Sequence, residues 1–178
     1  MIAAIFDCET TGLVKNSLVP LEQQPRIIEL FLCLVDSETG DTLSEIEFFC
    51  DPGVEIEPII TRITGIKPEQ LKGEKPFIHY AQKVAGMIGA ADAVVAHNLS
   101  FDMALVSFEM QRSEVELKWP DRLICTVEQT EWMKSHRLNL SALHEELFGE
   151  PFSGAHRARV DVEALTRCFL ELVKRGEL

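Results

Sequence analysis

Apolar residues fall along this chain in blocks of two kinds, short unbroken runs and longer stretches at helical spacing. Residues 2–6 are a short run, and Ile27 to Val35 is a longer one with β-branched side chains, so both predict buried strands. Between them Lys15 to Pro25 is polar and bracketed by prolines, which predicts a loop. A third strand is expected across Leu43 to Cys50 and ends at Pro52-Gly53. The turn-forming residues Asp36 to Asp41 join it to the second strand, so the three should form an antiparallel meander.

Beyond Pro76 the period changes. Phe77, Tyr80, Ala81, Val84, Met87 and Ile88 recur at helical spacing up to Gly89, and the run Ala93 to Ala96 then predicts another buried strand. A helix followed by a strand places that strand parallel to an earlier one. Ser100 is the expected N-cap of a helix running to about Gln111, Leu123 to Cys125 a fifth strand, and helical segments follow to about Phe148. The last helix is expected from Arg159 to Lys174. A meander followed by alternating helices and strands implies an α/β fold: a mixed sheet of about five strands flanked by helices.

Length and composition add limits. At 178 residues the chain suits one domain, 1–178, and no linker or repeat divides it. The N-terminus meets Asp7 after six apolar residues, so neither a secretory leader nor a membrane span is read there, and a cytoplasmic location without membrane contact is expected. The five scattered cysteines contain no C-x-x-C and read as reduced, mostly buried thiols. A net charge of −12 opposes electrostatic gripping of long duplex DNA, so a phosphate-binding role needs positive charge from cations held by acidic residues.

Three segments carry candidate chemistry. Asp7 and Glu9 lie two residues apart at the end of the first strand, so they share a face, just before the turn Thr10-Thr11-Gly12. Two adjacent carboxylates repel, which gives no stability reason for the pair. Asp102 falls in the first turn of the helix after His97-Asn98, where a carboxylate also complements the helix dipole. Taken alone, His97 reads as a hydrogen-bonded structural histidine and Phe101 as core. His156 and Asp161 converge only if the histidine precedes the last helix and the aspartate lies within it, since five residues on a helix are offset by ~140°.

The order D-x-E-T-T-G, H-N-x-x-F-D, H-x-A-x-x-D resembles the three exonuclease motifs of the DnaQ-like, or DEDDh, family, which includes the proofreading subunit of bacterial replicative polymerase. Arg26 to Glu29, Ile63 to Ile66, Ile124 to Thr126 and Leu140 to Leu147 look like its connecting elements, so the likeness covers about residues 2 to 173. Thr64, Cys125 and Arg159 depart from the common pattern, and none of them replaces a member of the five-residue site.

The resemblance implies a ribonuclease H-like fold and a 3′-to-5′ exonuclease that releases nucleoside 5′-monophosphates. Asp7, Glu9, Asp102 and Asp161 would be catalytic ligands for two Mg²⁺ (or Mn²⁺) ions, consistent with oxygen donors, and His156 the general base. Thr10, Thr11, Gly12, His97, Asn98 and Phe101 are candidates for substrate contact. The expected partner is a nucleic acid 3′ end, single-stranded DNA before RNA, with a polymerase or repair protein as a further possible partner. An exoribonuclease acting on short RNA is the nearest alternative, and a catalytically silent interaction module another. Lys134, Arg137, Arg157 and Arg159 are the basic residues expected near the site.

Overall fold

A computed structural model describes residues 1–178 and contains one five-stranded sheet. Its strands are β1 (Ile2–Thr10), β2 (Ile27–Asp36), β3 (Thr42–Phe49), β4 (Ala93–Ala96) and β5 (Arg122–Cys125), in the spatial order β3-β2-β1-β4-β5. The meander β1-β2-β3 is antiparallel, whereas β4 and β5 run parallel to β1 on its other side. β1 is therefore the central strand. Its residues Ala3 to Phe6 are wholly buried because both sheet faces are covered, which is why the strand reads as a continuous apolar run.

Seven helices surround the sheet: α1 (Pro58–Thr64), α2 (Pro68–Leu71), α3 (Ile78–Gly89), α4 (Leu99–Arg112), α5 (Thr126–Gln129), α6 (Leu140–Phe148) and α7 (Ala158–Lys174). On one face α7 packs Ala158, Val162, Leu165 and Phe169 against Ala3, Ile5, Phe31, Val35 and Val95. On the other, Ala81, Val84 and Ile88 of α3 and Leu105 and Val106 of α4 meet Ala4, Phe6, Leu30, Leu32 and Val94. Odd positions of β1 thus face α7 and even positions face α3 and α4, as strand alternation requires. Extended along the strand, that parity turns Asp7 and Glu9 toward the α7 side and Cys8 toward α4.

Three details depart from the sequence expectation. Ser100 does not cap α4: it lies inside the helix, and the capping position is Asn98, whose backbone takes φ +76° without a side-chain cap. α1 and α2 were not anticipated; both open on proline, which suits a first helical position. All five cysteines, not just most of them, are buried, and none forms a disulfide. No helix is long and apolar enough to cross a membrane.

Phe169 is the largest wholly buried side chain that α7 contributes to the sheet. Replacing it by alanine should lower unfolding free energy by about 3–5 kcal/mol. Urea denaturation checks this, and a loss below about 1 kcal/mol would contradict the packing described.

Candidate active site

The site forms where the central strand emerges from the core. At the end of β1 the pairing with β2 shifts register between Glu9 and Thr10, an irregularity that re-aims side chains beside it. Asp102, in the first turn of α4, is buried, and its Oδ1 accepts a hydrogen bond from the Cys8 backbone N–H at 3.1 Å. This bond ties α4 to the strand between Asp7 and Glu9. Asp161, in the first turn of α7, accepts from the His156 N–H at 2.9 Å through Oδ2, while its Oδ1 is buried without a partner. His156 stands in the loop before α7 with φ +68°, and its side chain is exposed. Ligand atoms of Glu9, His156 and Asp161 all lie within 4.8 Å of one another.

So much carboxylate in one place is electrostatically unfavourable. Burial, then the charges of Asp161 and Glu29, push Asp7 up to about 8. Burial and the charges of Asp7, Asp161 and Glu29 raise Glu9 to about 8 as well. Asp102 is held well above the usual carboxylate range, chiefly by burial and then by Asp7. Asp161 is also raised by burial, although the hydrogen bond from His156 opposes the shift.

What holds α7 against this repulsion is a pair that the sequence reading did not single out. Glu29, 1% exposed on β2, receives Arg157 through Nε and Nη2 at 2.9–3.2 Å and the Ala158 N–H at 3.2 Å. It sits opposite Glu9 in the sheet, so it fixes the start of α7, and with it Asp161, beside the acids of β1. A glutamate inside the apolar run Ile27 to Val35 was the available signal, since a buried charge needs a partner.

A concavity of about 760 Å³ opens beside the acids, walled by Glu9, the turn Thr10-Thr11-Gly12, Phe101 and His156. Leu13, Ile59 and Ile63 stand on the same wall with large exposed apolar surfaces, so α1 belongs to the pocket. Asn98 is exposed, and neither it nor His97 lines the concavity. The His97 ring is engaged internally, by Thr126 Oγ1 at 2.9 Å and the Leu138 carbonyl at 3.2 Å, and burial lowers its pKa to about 4. Thr10 Oγ1 donates to the Gly12 carbonyl, and Thr11 Oγ1 accepts from the Arg26 N–H, so both hydroxyls shape the turn.

The basic residues differ from expectation. Lys134 pairs with Glu146, Arg137 with Glu131, Arg157 with Glu29, and Arg159 with Glu45 and Glu47, and none of the four lines the concavity. The cations that do are Lys15 and Arg26.

A family model described as exonuclease (RNase_T) matches residues 4–169. The PolC-type DNA polymerase III of Halalkalibacterium halodurans is 33% identical over 177 residues, covering 96% of this chain and 11% of that protein. The 3′-5′ exonuclease DinG of Bacillus subtilis is 29% identical, with 96% and 17% covered. The chain therefore spans a small fraction of the length of these relatives. Among solved structures, the nuclease domain of 3′hExo, a DEDDh family member bound to rAMP, superposes with TM-score 0.76 at 17% identity, covering 98% of this chain and 92% of that one. E. coli exonuclease I in complex with a dT13 oligonucleotide gives 0.77 at 17%, covering 98% and 41%.

The crowding sets a pH dependence. With Asp7 and Glu9 raised from 3.8 and 4.5 to about 8, the folded chain keeps protons that the unfolded chain has released, so stability is lost as pH rises through this window. In EDTA the melting temperature should fall between about pH 5 and pH 8, and Asp7→Asn should flatten that fall. Differential scanning calorimetry checks it; a metal-free protein growing more stable toward pH 8, with Asp7→Asn no different, would contradict the geometry.

Proposed function

The chain belongs to the exonuclease family, and we propose that it removes nucleotides from the 3′ end of single-stranded nucleic acid, preferring DNA, with release of nucleoside 5′-monophosphates. The observation that carries this reading is the convergence of Asp7, Glu9, Asp102 and Asp161 from β1, α4 and α7 beside one exposed histidine. Residues 1–178 act in it as one exonuclease domain. The name of the PolC-type relative, a DNA polymerase III, supports DNA as substrate and a polymerase as the partner class, with a repair protein as the alternative partner, and that of the DinG relative supports the 3′-to-5′ polarity.

The four carboxylates suit divalent cations, with Mg²⁺ or Mn²⁺ preferred by an oxygen donor set. Asp161 Oδ1, buried without a hydrogen-bond partner, has the unmet need that a cation satisfies, and the raised pKa values of its neighbours express the same need. Asp7, Glu9, Asp102 and Asp161 would hold two such ions, which when bound would neutralise charge on the attacking and leaving oxygens of an in-line displacement.

The protein's own groups do the rest. His156, exposed and close to Glu9 and Asp161, can accept the proton of a water whose oxygen bonds to phosphorus while the bond to the leaving 3′ oxygen breaks. Phe101, Leu13 and Ile63 offer apolar surface to the terminal bases, which any base can use because each has a π-face.

Asp7→Ala and Asp161→Ala should each abolish nucleotide release while the fold persists. His156→Ala should slow it by about 10²–10⁴-fold, the usual worth of a positioned base. Product analysis on matched 3′- and 5′-labelled single-stranded DNA and RNA, in Mg²⁺, Mn²⁺ or EDTA, tests polarity, substrate and metal together. Near-normal release by Asp7→Ala in Mg²⁺ would overturn the assignment, and faster release from RNA than DNA would reverse the substrate preference.

A further inference from the structure

Arg26 is a half-buried cation beside the candidate active site that forms no ion pair. It takes part in none of the ion pairs of the structure, and its Nε is buried without a hydrogen-bond partner. Its side chain lines the 760 Å³ concavity that holds Glu9 and His156, and also an adjoining one of about 290 Å³. Arg26 therefore stands on the wall that the two spaces share.

Glu109, whose carboxylate the Arg26 charge reaches, is already used. Glu109 receives Arg112 Nη1 at 2.7 Å and the Ile27 N–H at 3.3 Å. Arg112 spends its remaining terminal donors on the carbonyls of Leu21, Gln24 and Pro25 at 2.6–3.2 Å. Burial lowers the pKa of Arg112, and the positive charge of Arg26 lowers it further, so the two guanidiniums lie near each other and Glu109 pairs with Arg112 alone.

The backbone that carries Arg26 is fixed. Thr11 holds it in both directions, donating its N–H to the Arg26 carbonyl and accepting the Arg26 N–H on Oγ1, each at 2.9 Å. Before it, the buried amide of Gln24 bridges Lys15 N–H, Asn16 carbonyl and Val19 carbonyl, which braces the whole 15–25 loop from inside. Such a frame presents a guanidinium at low entropic cost.

We propose that Arg26 binds a backbone phosphate of the nucleic acid strand whose 3′ end occupies the carboxylate pocket, holding the strand upstream of the bond that is cut. This rests on the exonuclease reading for the identity of the ligand. Guanidinium is the side chain best matched to a phosphodiester, through paired N–H donors and a charge that does not titrate away. Lys15, exposed on the same wall, gives a looser second contact.

The test is binding of a fluorescent single-stranded DNA oligonucleotide across salt concentrations, with Ca²⁺ in place of Mg²⁺, so that no hydrolysis is required. Arg26→Gln should weaken binding about 10-fold, the scale of a charge-assisted hydrogen bond, with Arg26→Lys in between. The logarithmic salt slope should fall from about −1.4, for Lys15 and Arg26 together, to about −0.7. Oligonucleotides with one neutral methylphosphonate linkage should identify a position that costs the wild type as much as Arg26→Gln does, and that costs the variant nothing more. Equal affinity and slope in both proteins, or no linkage whose effect depends on residue 26, would overturn the proposal. Should Arg26→Gln not unfold cooperatively, the same scan on the wild type and Arg26→Lys decides it. A protein that binds through Arg26 yet releases no nucleotide would refute the exonuclease reading alone, whereas one that hydrolyses but is indifferent to Arg26 would refute this proposal alone.

Discussion

Carboxylate repulsion at the end of β1 is the constraint around which this fold is arranged. Asp7 and Glu9 are raised to about 8 by burial and by each other's neighbourhood, and Asp102 and Asp161 are raised too. The free protein therefore gains nothing by bringing them together; the backbone has to impose it. It does so with bonds that attach each acid-bearing element to its neighbour. The Cys8 N–H holds Asp102, the His156 N–H holds Asp161, and Glu29 holds the first residue of α7. Removing repulsion is then left to cations, which gives a ligand that neutralises the cluster a strong preference for the folded chain.

What could be read from the sequence was what local pattern controls. β1 and β2 are visible as apolar runs because both faces of the sheet are covered, and strand alternation alone puts Asp7 and Glu9 on one side. The placement of His156 before α7 and Asp161 inside it follows from helical geometry. α1 escaped notice for a physical reason: Ile59 and Ile63 face the pocket and solvent instead of the core, so its apolar residues do not mark a buried stripe. Ser100 misled because a serine before a helical run is a good capping residue, whereas the chain turns into α4 through the left-handed conformation of Asn98.

Charge was the least readable property, because pairing is decided by tertiary contact. Arg157 and Arg159 lie within the last motif and look available for phosphate, yet β2 and β3 bring Glu29, Glu45 and Glu47 to them. Arg159 also lies over the Phe31 ring, 4.3 Å from guanidinium carbon to centroid, so it contributes to covering the sheet. Net charge gives a similarly incomplete account. A value of −12 describes the field at a distance, while phosphate binding depends on which cations near the pocket lack an acid.

Two buried glutamates do the same mechanical work on opposite faces of the sheet. Glu29 accepts the N–H of Ala158 and the guanidinium of Arg157, which sets the start of α7; Glu109 accepts the N–H of Ile27 and the guanidinium of Arg112, which sets the end of the 15–25 loop and the start of β2. Buried pairs of this kind add little net stability, since desolvation cancels most of their attraction. Their backbone bonds carry the consequence that matters here, because each fixes a segment in register with the strand ends. One pair fixes the segment bearing Asp161 and His156, the other the segment bearing Arg26. On the proposed function, a displacement of either would separate groups that act on the same phosphate backbone, so the site should tolerate substitution of these two glutamates as poorly as that of the acids themselves.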